Sequence, residues 1–79
     1  MTIKVNMYCQ EGDDMAITLA VEHNSQTFLI TKTVSVSEGK TKEQYVSDAY
    51  AAALDEINAW KDDVETVGKE FNPSTGSFE

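Results

Sequence analysis

The sequence contains no arginine, and its six cationic side chains are lysines scattered along the chain. Against them stand 14 Asp and Glu, which gives a formal net charge of −8. Phosphate contacts need clustered Lys or Arg, and the commonest base-reading contact is a bidentate arginine. We therefore expect no direct binding to nucleic acid and no attraction to anionic membranes. A basic protein surface is the expected partner, because opposite charge raises the association rate.

Cysteine is almost absent as well. Cys9 is the only one, so no intrachain disulfide can form, and a reducing compartment is expected. The first residues alternate between apolar and polar side chains, which is not typical of a signal peptide, and no apolar run approaches the length of a membrane span. These features predict a cytoplasmic protein.

Groups that could perform catalysis are few. His23 is the only histidine, and a Cys9–His23 pair is the arrangement that would favour an enzyme. The pattern places Cys9 among inward-facing residues, where a free cysteine usually acts as a small hydrophobe. The four glycines are isolated, and the acidic turn at residues 11–14 lacks the calcium-loop spacing. We therefore predict a non-catalytic protein without a cofactor or metal.

Alternation of apolar and polar residues predicts three strands, separated by turns at residues 11–14 and 24–26. The residues expected on the inward faces are Ile3, Val5, Met7 and Cys9, then Met15, Ile17, Leu19 and Val21, then Phe28, Ile30, Val34 and Val36. Lys32 interrupts the third face, as at a bulge, a strand end or an edge position. The short connections favour an antiparallel meander.

One long helix is predicted after the strands. Thr41 and Gln44 have the spacing of a capping box, which places the helix start at Lys42. Apolar residues then recur at steps of four and three, and Gly68 is a natural C-cap residue. The members of this stripe are Val46, Tyr50, Ala53, Ile57, Trp60, Val64 and Val67. The expected fold is therefore α+β, with a three-stranded meander packed against the helix (βββα).

The apolar pattern of the helix ends at Gly68. Residues 1–68 are expected to form one domain, whereas residues 69–79 are rich in turn-forming residues and form a tail, an arm or a short extra strand. Phe71 and Phe78 flank the turn of this tail. Two alternatives remain open: the rings fold back on the core of their own chain, or they contact a neighbouring copy.

The most organised polar feature is on the helix. Its carboxylates lie opposite the apolar stripe or beside that line, because residues seven apart share a helix face. We call these residues the acidic ridge: Asp48, Asp55, Glu56, Asp62 and Asp63. Such a ridge is typical of a solvated helix face. The functional alternative is an electrostatic mimic of nucleic acid that occupies the basic groove of a target protein.

In size, acidity and shortage of catalytic groups, the chain resembles the small proteins with which bacteriophages inhibit host enzymes or defence complexes. This resemblance implies an inhibitor or regulator that acts in the host cytoplasm. The alternative is a structural subunit of a virion or scaffold that assembles through its sheet edge and the Phe71–Phe78 tail. The small core also makes a homodimer one of the expected states.

Overall fold

The computed structural model describes residues 1–78. The elements in chain order are β1 (Thr2–Glu11), β2 (Asp14–His23), β3 (Gln26–Ser35), α1 (Lys42–Thr66), β4 (Phe71–Asn72) and β5 (Ser77–Phe78). The first three strands form an antiparallel meander with β2 in the centre, and β4 pairs with β5 in a separate hairpin. The predicted α+β fold, a three-stranded meander packed against one long helix, is confirmed.

The β2–β3 connection is a tight turn at Asn24 and Ser25. Both residues have positive φ angles, 50° and 64°, as a type I′ turn requires. Asparagine tolerates this left-handed conformation well, whereas serine adopts it at a steric cost. The turn aligns β2 and β3 in a regular register over their full length.

The helix begins where the sequence predicts. The Thr41 hydroxyl accepts a hydrogen bond from the Gln44 backbone N–H at 3.2 Å, and the Gln44 side chain accepts one from the Thr41 N–H at 2.8 Å. The capping box is therefore complete. The helix ends at Thr66, two residues before Gly68, whose φ of 94° turns the chain away.

The core lies between β2 and the helix. Ile17, Leu19, Val21 and Ile57 are its largest fully buried side chains, and Trp60 packs against them from the rim. The predicted inward face of β2 and the predicted helix stripe therefore meet in one core.

The predicted helix stripe is incomplete in its first half and wrong at its last residue. The predicted Val46 and Tyr50 pack against the core and are partly buried, but Tyr45 and Ala49, which the stripe omits, are buried more deeply. The Tyr45 hydroxyl donates to the Ser37 carbonyl and accepts from the Ser37 N–H, so the β3–α1 connection fixes this rotation of the helix. Val67 is 71% exposed, because it follows the helix end and packs against no strand.

A β-bulge in β1 makes the predicted inward face wrong in the second half of this strand. The pairing shifts between Val5, opposite Leu19, and Met7, opposite Thr18. Because one extra residue reverses the alternation, Met7 and Cys9 lie on the face away from the helix, and Tyr8 takes the inward position. Cys9 is exposed, so its predicted place in the core is wrong.

The helix lies over β2 and β3 and leaves β1 largely uncovered. Phe28 and Trp60 stack at a centroid distance of 5.4 Å, which fixes the helix against β3. β3 is an edge strand, and Lys32 pairs with Ile17 within its regular register. Lys32 therefore marks an edge position, and not a bulge or a strand end. Val36, expected to face inward, lies beyond the end of β3 and is exposed.

Candidate protein-binding face

All members of the acidic ridge are exposed on the helix. Asp48, Asp55 and Asp62 run along the side opposite Ala53 and Ile57, which are fully buried against the sheet, and Glu56 and Asp63 lie beside that line. The helix positions these carboxylates because it continues without a break from Lys42 to Thr66. At about 1.5 Å per residue, Asp55 and Asp62 are about 10 Å apart along the helix axis.

Two members of the acidic ridge are neutralised by lysines of the same chain. Asp48 forms an ion pair with Lys40, in the connection before the helix. Glu56 forms one with Lys32 of β3, with 2.6 Å between the lysine Nζ and the carboxylate Oε1. Both lysines are partly buried. The Lys32–Glu56 pair links the helix to β3, and the Lys40–Asp48 pair links it to the connection before the helix. Asp48 and Glu56 are therefore weaker candidates for a partner-binding role than the sequence suggested.

The remaining three members are Asp55, Asp62 and Asp63, which we call the acidic helix end. Within residues 1–78, none of these three carboxylates forms an ion pair. Lys61 is the one lysine in this stretch of the helix, and it is half-buried. The negative charge of the ridge is therefore concentrated in the second half of the helix.

The position of this charge is unfavourable for helix stability. Asp62, Asp63 and Glu65 lie in the last five residues of the helix, and its last turn contains no basic residue. Because the C-terminus of a helix carries partial negative charge, each acidic side chain there costs about 0.3–1 kcal/mol at low salt. Residues that break such local rules are expected at functional sites.

Glu65 is a residue that the sequence analysis missed. Its Oε1 lies 3.1 Å from His23 Nε2, which joins the end of the helix to the end of β2. No local signal in the sequence marks this contact, because it joins residues 42 positions apart in the chain. His23 is half-buried, and Glu65 is its partner.

Cys9 and His23 are not brought together. Cys9 is opposite Ala16, and His23 lies seven residues further along β2, or about 23 Å at about 3.3 Å per residue. The turn carboxylates Glu11, Asp13 and Asp14 are exposed at the far end of the sheet from His23. Across residues 1–78, no group of three His, Cys, Asp or Glu side chains is arranged to hold a metal ion. No helix in the same range is long and apolar enough to cross a membrane.

Phe71 and Phe78 lie opposite each other in the β4–β5 hairpin, with their rings edge to face at a centroid distance of 6.1 Å. The rings are 58% and 53% exposed, so they do not fold back on the core. Asn72 closes the turn by accepting hydrogen bonds from the Gly76 N–H to its carbonyl and from the Ser74 N–H to its side chain. The hairpin therefore presents two aromatic rings to solvent.

Comparisons with protein-family models, curated proteins and solved structures find no match to this chain.

Proposed function

We propose that this chain is a non-catalytic inhibitor or regulator that binds a basic surface of a nucleic-acid-handling protein through its acidic helix end. The observation that carries the proposal is the position of Asp55, Asp62 and Asp63, which are exposed and form no ion pair within the described residues. Two of them lie where they weaken the helix. Their position there is better explained by a partner than by stability.

The partner we propose has a basic groove that normally holds nucleic acid. Carboxylates that enter such a groove replace phosphates as counter-charges, and the net charge of −8 accelerates the encounter. The resemblance in size and acidity to small bacteriophage inhibitors further supports a bacteriophage source. It also supports action on a host defence or nucleic-acid complex in the host cytoplasm.

The test compares two variants of equal net charge. One carries Asp55→Asn, Asp62→Asn and Asp63→Asn, and the other carries Glu11→Gln, Asp13→Asn and Asp14→Asn. Each removes three negative charges from exposed positions, but at different places on the molecule. Wild type and both variants are immobilised, and proteins captured from bacterial host lysate are identified and quantified. The variant of the acidic helix end should lose the partner, with an affinity reduced by about tenfold or more, while the turn variant retains it.

A second readout separates function from folding. Removing Asp62 and Asp63 charges should stabilise the helix, because an unfavourable interaction with its C-terminus is relieved. Lost binding accompanied by an unchanged or higher free energy of unfolding would therefore show that the fold is not the cause. Equal loss in both variants would reduce the role of the charge to general steering. Unchanged binding in both would contradict the proposal.

A second candidate function is that of a structural assembly subunit, and the exposed Phe71–Phe78 pair favours it. Exposed aromatic rings on a protruding hairpin are well suited to contact a neighbouring copy. The longest dimension of the molecule is 58 Å, whereas a ten-residue strand spans about 33 Å. The hairpin therefore extends the molecule beyond the sheet.

A further inference from the structure

An apolar groove runs between β1 and the first half of the helix. It exists because the helix covers β2 and β3 and leaves the inward face of β1 open. The groove has a volume of about 530 Å³ and is lined mainly by Ile3, Val5, Leu19, Val46 and Tyr50. Ile3 and Val5 are 36% and 50% exposed there. Apolar surface arranged in this way is typical of a contact site.

Two features of β1 disfavour filling the groove by adding a strand to this edge. Lys4 places a charge within the edge strand, and the bulge between Val5 and Met7 interrupts its regular pairing. Both are features by which proteins prevent edge-to-edge association. An occupant of the groove should therefore insert side chains into it.

Neither Phe71 nor Phe78 lines the groove of its own chain. At about 1.5 Å per residue, Tyr50 and Thr66 are about 24 Å apart along the helix. The chain from Thr66 to Phe71 can extend by at most about 17 Å. The rings of the hairpin therefore remain exposed in the single chain, as does the groove.

We propose that the Phe71–Phe78 hairpin of one copy inserts into the β1–α1 groove of a second copy. This inference rests on the proposed assembly function and names its contact surfaces. Because two different surfaces meet, the contact is head-to-tail, and each copy retains one free hairpin or groove until a ring closes.

The sizes of the two surfaces match. An apolar cavity of about 150 Å³ holds one benzene molecule. The groove, at about 530 Å³, has room for both phenyl rings of the hairpin.

The charges also match. Lys42 and Glu43 border the groove, while Lys69 and Glu70 precede the rings, and Lys69 Nζ lies 5.7 Å from the centre of the Phe78 ring. Each side contributes one positive and one negative side chain, so opposite charges can pair across the contact. Residues 1–10 contain no acidic residue at all. Residues 1–10 therefore add no negative charge on the groove side when two copies of charge −8 meet.

The test uses one variant for each surface. Phe71→Ser/Phe78→Ser removes the hairpin rings and keeps the groove, and Val5→Lys places a charge in the groove and keeps the hairpin. The matched controls are Leu29→Ser and Thr33→Lys, both at exposed positions on the opposite face of the sheet. Chemical melts establish that each variant is folded, and Ile3→Lys replaces Val5→Lys if the latter does not fold.

Sedimentation equilibrium over a range of concentrations measures the masses. Wild type should self-associate, and each surface variant should raise the dissociation constant by about tenfold or more, while the controls match wild type. An equimolar mixture of the two surface variants should form a dimer and nothing larger, because only one intact hairpin can enter one intact groove. A symmetric contact between identical surfaces does not predict this result.

The outcomes separate the contact from the assembly function. A wild-type monomer at every concentration would overturn both. Self-association that survives both surface variants, or a mixture that remains monomeric, would overturn the hairpin-in-groove contact and leave assembly standing. A wild-type monomer whose native mass includes a small apolar molecule, lost in Val5→Lys, would identify that molecule as the occupant and overturn the proposal.

Discussion

Ile57 connects the helix to the sheet, and its truncation tests the account of the fold. The side chain is fully buried in the cluster formed with Ile17, Leu19 and Val21. Ile57→Ala removes three carbon groups, and at about 0.8 kcal/mol for each buried group the lost transfer free energy is about 2.4 kcal/mol. The cavity left behind adds to this, so the expected loss is about 2.5–5 kcal/mol.

That loss is large for a domain of 79 residues. At about 0.05–0.15 kcal/mol per residue, its total stability is about 4–12 kcal/mol. Urea melts followed by circular dichroism should therefore show a much lower midpoint with a similar slope. Leu54→Ala is the matched control, because Leu54 is on the same helix but 36% exposed, and it should cost less than about 1.5 kcal/mol. An Ile57→Ala loss below about 0.5 kcal/mol would refute the packing described here.

Two further predictions concern the strands. Ser25→Gly should raise the free energy of unfolding by about 0.5–1 kcal/mol in the same melts, because glycine adopts the φ of 64° without the steric cost that serine bears; a loss of stability would contradict the assigned turn. Cys9 should react fully with a thiol reagent in the native state, and Cys9→Ser should leave stability within about 0.5 kcal/mol of wild type, since the side chain is exposed; labelling only after unfolding would show that it is buried.

The order of the main elements and the start of the helix could be predicted from the sequence because each has a local chemical signal. Alternation specified β2 and β3, and the Thr41–Gln44 capping box specified the first residue of the helix. The bulge in β1 had no such signal, because no glycine or proline marks the extra residue. The faces of Met7 and Cys9 were therefore predicted wrongly even though the strand itself was predicted correctly.

The face of the helix that packs against the sheet is set by tertiary contacts, so its sequence alone could not predict it. Its apolar residues allow several neighbouring stripes, and the choice depends on which strands the helix covers and on the Tyr45–Ser37 hydrogen bonds. The exposure of the acidic ridge, in contrast, follows from the helix period and could be predicted. Neutralisation of Asp48 and Glu56 depends on lysines brought close by the connection and by β3.

Carboxylate footprinting of the complex with the captured partner tests the central claim most directly. Exposed Asp and Glu side chains are labelled with a carbodiimide and an amine, and the labelled positions are identified by mass spectrometry in the free protein and in the complex. We predict strong protection of Asp55, Asp62 and Asp63 in the complex, with Glu11, Asp13 and Asp14 labelled equally in both states. Protection of the turn carboxylates with continued labelling of the acidic helix end would contradict the proposed binding face.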